Sequence, residues 1–192
     1  QGTQSVAIGP SSGSYVQGTT CVAIGSGAGL TNLGNSSIAV GPSAGANTQG
    51  SFCVAIGASA GSASQETRCI AIGTNAGQLS QGQEAIAIGY LTGRTSQGAD
   101  GIALGSNAGA STQGAGSIAI GNGAGTANQI TNAIAIGVNT GAQSQELYCI
   151  AIGTNAGRTE QGGSSVSIGA FSATTVQGTN CVAVGVNAGT SG

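Results

Sequence analysis

The sequence predicts an all-β fold: a parallel β-solenoid of twelve coils with sixteen residues each. A four-residue run, Val6-Ala7-Ile8-Gly9 in its first copy, returns every sixteen residues, and its glycine recurs without insertion up to Gly185. A fixed short period is typical of solenoids, in which each repeat forms one coil stacked on the last. A compact globular core is not expected as the alternative, because the chain has thirty-eight glycines and only 3% aromatic residues. We therefore predict a single repeat domain over residues 1–192. Because the chain starts in full repeat register, we expect it to be a segment of a longer fibre.

The residues of each coil are numbered from position 1 to position 16, so that Gln1 occupies position 1 and Gly9 occupies position 9. Positions 6 and 8 carry only Val, Ile or Leu, and position 7 between them carries Ala except at Ser167. This period-two alternation predicts a short β-strand. The glycine at position 9 ends the strand and permits a turn with positive φ. We expect a second extended segment near positions 11 to 13, where the small residues Ala and Gly let the opposite side of the coil approach closely.

The branched side chains at positions 6 and 8 are predicted to point inward, because burial of such side chains is the main apolar stabilisation available to a coil. The predicted core consists of Val6, Ile8, Val22, Ile24, Ile38, Val40, Val54, Ile56, Ile70, Ile72, Ile86, Ile88, Ile102, Leu104, Ile118, Ile120, Ile134, Ile136, Ile150, Ile152, Val166, Ile168, Val182 and Val184.

Position 7 lies on the opposite strand face, and it accepts only a methyl or a hydroxymethyl group. This size limit predicts that another rod packs there, most simply in a threefold bundle. The alternative is that Ala merely favours tight stacking of the coils. The predicted oligomer interface consists of Ala7, Ala23, Ala39, Ala55, Ala71, Ala87, Ala103, Ala119, Ala135, Ala151, Ser167 and Ala183.

Charge is scarce and confined to one part of the coil. Three arginines and five acidic residues all fall between position 14 and position 4 of the next coil, so we expect this edge to face water. A net charge of −2 without a basic patch argues against binding to nucleic acid or to an anionic membrane. No apolar run approaches eighteen residues, which argues against membrane insertion.

The sequence also argues against enzymatic chemistry. Without histidine or lysine, the chain can form no Ser-His-Asp or Cys-His arrangement and no Schiff base. The acidic residues are scattered, and the cysteines lack the short paired spacing of metal sites. We therefore predict no catalytic residues, no cofactor and no metal site.

Two polar columns have structural interpretations. Glutamine fills position 1 in every coil except at Leu33, and stacked amides can bond to one another along the rod. The cysteines all lie at position 5, where they either replace Ser or Ala as small apolar residues or form inter-chain disulfides. Only Cys53 and Cys69 lie in adjacent coils, within the range of a disulfide. The five cysteines are Cys21, Cys53, Cys69, Cys149 and Cys181.

The run Ser-Val-Ala-Ile-Gly, first seen at Ser5–Gly9, together with the Ala-Gly pair at positions 12 and 13 of most coils, resembles the head repeats of trimeric autotransporter adhesins. The sixteen-residue form with Gln-Gly, as in Ala119-Ile120-Gly121 through Gln129, also resembles repeats of virus-encoded tail-fibre-type surface proteins. The resemblance covers the whole chain, although adhesin head coils are usually slightly shorter. It implies a left-handed parallel β-roll with three chains in a bundle, which stands at a cell or particle surface and contacts the host or the matrix.

We therefore expect a non-enzymatic structural fibre that supports attachment from an extracellular, cell or virion surface. Its partners would be copies of itself and a host-surface receptor. The alternative is a self-polymerising filament in which the coils of successive chains stack end to end. The sequence itself does not indicate binding to ice or to glycans.

Overall fold

The structure is a computed structural model that describes residues 1–190, and it is a parallel β-solenoid with two sheets along its length. The first sheet has 12 strands. They are β1 (Val6–Ile8), β3 (Val22–Ile24), β5 (Ile38–Val40), β7 (Val54–Ile56), β9 (Ile70–Ile72), β11 (Ile86–Ile88), β13 (Ile102–Leu104), β15 (Ile118–Ile120), β17 (Ile134–Ile136), β19 (Ile150–Ile152), β21 (Val166–Ile168) and β23 (Val182–Val184).

The second sheet has 11 strands and faces the first across the interior of the coil. They are β2 (Val16–Gln17), β4 (Asn32–Leu33), β6 (Thr48–Gln49), β8 (Ser64–Gln65), β10 (Ser80–Gln81), β12 (Ser96–Gln97), β14 (Thr112–Gln113), β16 (Ala127–Gln129), β18 (Gln143–Gln145), β20 (Glu160–Gln161) and β22 (Val176–Gln177).

Each strand pairs in parallel with the equivalent strand of the next coil, so each residue lies beside the residue at the same position of that coil. Val6 pairs with Val22, and Gln81 pairs with Gln97. Backbone bonds also join the turns of neighbouring coils, as between Gly25 N and Ile8 O at 2.8 Å. The predicted fold class is therefore confirmed.

The second sheet lies at positions 16 and 1, so its predicted location at positions 11 to 13 is wrong. Those positions form a turn in which Ser11 and Gly13 both have positive φ, of 57° and 53°. A residue in this left-handed region cannot continue a strand, because its backbone groups no longer point along the ladder. The Ala-Gly pair thus marks a turn.

The predicted orientation of the first sheet is also wrong. Position 7 is buried in every coil from Ala23 to Ala183, and only Ala7, in the first coil, is exposed. Position 7 is therefore interior and offers no oligomer interface, which corrects the prediction for Ala7, Ala23, Ala39, Ala55, Ala71, Ala87, Ala103, Ala119, Ala135, Ala151, Ser167 and Ala183.

Positions 6 and 8 point away from the interior, and none of their side chains is buried. The physical reason is space: the interior between the two sheets also holds the position 1 side chains, and branched residues do not fit beside them. The corrected core assignment removes Val6, Ile8, Val22, Ile24, Ile38, Val40, Val54, Ile56, Ile70, Ile72, Ile86, Ile88, Ile102, Leu104, Ile118, Ile120, Ile134, Ile136, Ile150, Ile152, Val166, Ile168, Val182 and Val184.

The glycine at position 9 is needed for close stacking of the coils. Gly25 has φ +126°, and a Cβ added to it would lie 2.7 Å from the carbonyl oxygen of Gly41. Any other residue would therefore be strained and would also collide with the next coil. This explains why position 9 is glycine in all twelve copies.

Candidate functional site

The outward side chains at positions 6 and 8 form one continuous apolar surface, which we name the aliphatic face. Each side chain lies beside its equivalent one coil away, because the strands of the first sheet pair in register. At a strand spacing of about 4.8 Å, twelve strands extend over roughly 53 Å. No charged residue occurs at positions 5 to 13 of any coil. A monomeric rod would leave this whole surface in water, which is typical of an interaction site.

Buried glutamines explain why the interior has no room for branched residues. The Gln113 amide nitrogen donates to the carbonyl oxygen of Ile102 at 2.8 Å and to that of Ser117 at 3.2 Å. The side chain thus reaches from the second sheet to the first. Ten coils bury the glutamine at position 1, and in the third coil Leu33 fills the same buried place; Gln1, in the first coil, is exposed.

Only part of the predicted amide ladder is present. Gln65 donates to Gln81 at 2.7 Å, and Gln129 and Gln145 donate to the next glutamine at 3.1 Å. The amide nitrogens otherwise donate mainly to main-chain carbonyls, as Gln97 does to Ile86 O at 2.7 Å. The glutamine column is thus structural, and it joins the two sheets more than it joins successive side chains.

The exceptional serine at position 7 has a hydrogen-bond partner inside the coil. Ser167 donates to the carbonyl oxygen of Ser172 at 2.7 Å, and its hydroxyl lies 3.1 Å from that of Ser172. Ser172 in turn donates to Ala183 O at 2.9 Å. Both residues stand where most other coils have alanine, so the second serine provides the partner that a buried hydroxyl requires.

The cysteines act as buried replacements for serine. The Cys53 thiol donates to Glu66 O at 2.8 Å, and the Ser37 hydroxyl makes the equivalent bond to Gly50 O at 2.8 Å. All five cysteines are free, and only Cys181 is exposed. The other four thiols point into the coil, where no second chain can reach them. The small-residue interpretation therefore holds for these four.

The environment of two of these thiols, Cys69 and Cys149, also lowers their reactivity. Burial raises the pKa of the Cys149 thiol. A hydrogen bond with Cys53, together with burial, raises the pKa of Cys69. A raised pKa leaves little thiolate at neutral pH, and the thiolate is the form that reacts with alkylating agents.

Cys181 should therefore be the only cysteine that iodoacetamide modifies rapidly in the folded protein at pH 7.5, whereas all five should react in urea. The four interior thiols are shielded from the reagent, and the raised pKa values of Cys69 and Cys149 also keep those two thiols protonated. Intact-mass spectrometry over time measures the number of adducts, and a Cys181→Ser variant is the control. Rapid labelling of that variant before unfolding would contradict the interior placement.

The charged residues occupy the opposite part of the coil, as predicted, and all eight are exposed. Arg68 and Glu84 form an ion pair at 3.0 Å on this edge. Within residues 1–190, no three His, Cys, Asp or Glu side chains group closely enough to hold a metal ion. The same residues contain no helix with the length and apolarity needed to cross a membrane.

The structure thus divides the coil into three parts: an interior of small residues and glutamine, an aliphatic face at positions 6 and 8, and a polar edge formed by the exposed residues at positions 14 to 16 and 2 to 4. Sequence reasoning identified the residues of the aliphatic face but assigned them to the core. The signal that could have corrected this is Leu33, since one leucine in a glutamine column indicates a buried column. Comparisons with protein-family models, with curated proteins and with solved structures give no match for this chain.

Proposed function

We propose that the chain is a structural, non-enzymatic fibre segment of an extracellular or virion-surface appendage that supports attachment. The observation that carries this proposal is the aliphatic face, which is uncharged, continuous along the rod and exposed in a single chain. Rods that cover this face against one another would form a stiff multi-chain shaft. The repeat resemblance to trimeric adhesin heads supports three chains around a common axis, each with its aliphatic face inward.

The remaining surface suits a projecting shaft. The polar edge carries all the charges and would face water in such a bundle. Its side chains differ from coil to coil, whereas positions 6 to 9 hardly vary. A host-surface receptor would therefore meet the variable edge, while the regular face holds the shaft together. This division of roles needs no catalytic group.

Replacing Ile102, Ile118 and Ile134 together with serine should weaken self-association while leaving the coils folded. The three side chains are neighbours on the aliphatic face, so their loss should weaken association by at least tenfold, which corresponds to about 1.4 kcal/mol. Sedimentation velocity at low micromolar concentration measures the assembly, and circular dichroism verifies the fold.

A matched control replaces three exposed apolar residues that lie off this face, Leu79, Tyr90 and Val138, with serine. This variant should associate like the original chain. A stable monomer of the original chain at the same concentration would refute the proposed bundle, as would unchanged association of the Ile102, Ile118 and Ile134 variant.

End-to-end stacking into a filament is the second candidate. Strands β1 and β23 each pair with only one neighbour within the described residues, so each has a free ladder edge that another copy could extend. Negative-stain electron microscopy distinguishes the two assemblies. Short discrete rods support the fibre segment, and unbounded filaments support end-to-end stacking.

A further inference from the structure

A groove lies on the polar edge, where the corner formed by positions 2 to 4 passes through several consecutive coils. Ile130, Glu146, Leu147 and Tyr148 line one side, and Thr179 and Asn180 line the other. We name it the corner groove. It is an open groove with a volume of about 480 Å³, which falls within the range of small-ligand sites. It is separate from the aliphatic face, which occupies positions 6 and 8.

The residues of the corner groove depart from the repeat. Position 2 is glycine in nine coils, yet the two successive coils at the groove carry Ile130 and Glu146 there. Position 3 is small or polar in every coil except at Leu147. Neighbouring coils fold without these side chains, so the solenoid does not require them. Their clustering in one corner indicates a role outside the folding of the coil.

Tyr148 adds an aromatic side chain to the corner groove. Position 4 adopts left-handed φ throughout the rod, and Tyr148 has φ 60°. Glycine and asparagine adopt this conformation most readily, and Gly116 and Asn132 occupy the position in the two preceding coils. The Tyr148 side chain is 61% exposed, so its ring offers a free aromatic surface at the groove.

A carboxylate is held beside that ring. Glu146 Oε2 accepts a hydrogen bond from the backbone N–H of Gly163 at 2.8 Å, which anchors the side chain across two coils. Its Oε1 makes no hydrogen bond within residues 1–190, so it is available as an acceptor. The Thr179 hydroxyl and the Asn180 amide are exposed across the groove and add donor and acceptor capacity.

This combination of groups selects among ligand classes. No cationic side chain lines the groove, and the carboxylate repels anions, which disfavours phosphate or acidic ligands. A purely apolar ligand would remove the carboxylate from water without giving it a partner, which is costly. A neutral sugar ring has an apolar C–H face that can lie on Tyr148, and its hydroxyl groups can donate to Glu146.

We propose that the corner groove binds a neutral saccharide unit, with the ring of Tyr148 against one sugar face and Glu146 Oε1 accepting from its hydroxyl groups. This inference gives the proposed attachment role a ligand class. It does not depend on side-by-side packing of the rods, because different positions of the coil form the two surfaces.

Saturation-transfer NMR on the full 192-residue chain tests the proposal with four probes: the methyl glycosides of glucose, galactose, mannose and N-acetylglucosamine. At least one glycoside should receive saturation, chiefly at its ring C–H protons. Tyr148→Asn and Glu146→Gly restore residue types found at these positions in other coils, so both variants should fold. Each should weaken binding by tenfold or more.

The chain contains matched controls for both variants. Phe52 is a second exposed aromatic residue at position 4, with φ 63°, and Glu66 is a second acidic residue at position 2, whose Oε2 accepts from Gln83 N at 3.1 Å. Phe52→Asn and Glu66→Gly remove the same groups outside the corner groove, and neither should alter glycoside binding.

The proposal fails if no glycoside receives saturation at millimolar concentration, or if Tyr148→Asn binds like the original chain. It also fails if Tyr148→Asn dissociates the assembly in sedimentation, because the groove would then be a contact between copies of the chain. The serine variant of Ile102, Ile118 and Ile134 tests the bundle separately, so failure of one proposal is distinguishable from failure of the other.

Discussion

Replacing Ala119 with leucine is expected to destabilise the rod severely, whereas replacing its neighbour Ile120 with alanine should leave the coil folded. Ala119 lies in β15 and is fully buried. Its Cβ lies 3.2 Å from the place where a Cβ on Gly125 would stand, which shows how closely the turn at position 13 approaches. Leucine adds an isopropyl group to this close-packed interior, so the free energy of unfolding should fall by about 3 kcal/mol. Urea denaturation followed by circular dichroism measures the loss.

The same pair of variants decides the orientation of the first sheet. Ile120 points outward, so Ile120→Ala should cost less than about 1 kcal/mol in a single rod under conditions that keep it monomeric. If the branched residues filled the interior, Ile120→Ala would instead cost about 2–5 kcal/mol, as in a buried core. A large loss for Ile120→Ala with little loss for Ala119→Leu would therefore overturn the structure described above.

Replacing Gln113 with alanine should destabilise the rod nearly as much as Ala119→Leu. The variant loses two hydrogen bonds, to Ile102 O and Ser117 O, and leaves a cavity between the two sheets. Ser117 O keeps its backbone bond from Ile102 N at 2.9 Å, so the carbonyl does not lose every partner. The cavity term dominates, and we expect a loss of about 3 kcal/mol in the free energy of unfolding.

Gln113→Leu separates the packing contribution from the polar one. Leucine fills the cavity and lacks only the amide, and the chain itself accommodates Leu33 at the same position without exposure. The expected loss is about 1–2 kcal/mol, which corresponds to the hydrogen bonds alone. Equal losses for the alanine and leucine variants would show that the amide, and not the filled volume, stabilises the coil.

The glutamine column also shows where sequence reasoning succeeded and where it stopped. Its regular return at position 1 indicated a structural role, and the structure places it in the interior. The direction of its hydrogen bonds was less predictable. Glutamine amides can form hydrogen bonds with one another along the rod or with main-chain carbonyls across the coil. In most coils the two sheets are close enough for the amide to reach the main-chain carbonyls.

Periodicity by itself determined the coil length, the parallel pairing and the register, because a sixteen-residue repeat without insertions can stack in only one alignment. The exposed placement of the charges also followed from the sequence, since isolated charges are rarely buried. Strand alternation likewise established that positions 6 and 8 lie on one face and position 7 on the other.

Which of these faces points inward was decided only by the tertiary structure. Alternation defines two faces but contains no information on the width of the space behind either of them. That width depends on the position 1 side chain, which extends into the interior from the opposite sheet. A coil of sixteen residues is just long enough to close around one glutamine and a few methyl groups. The branched residues are therefore left on the surface, where a single rod exposes them to water.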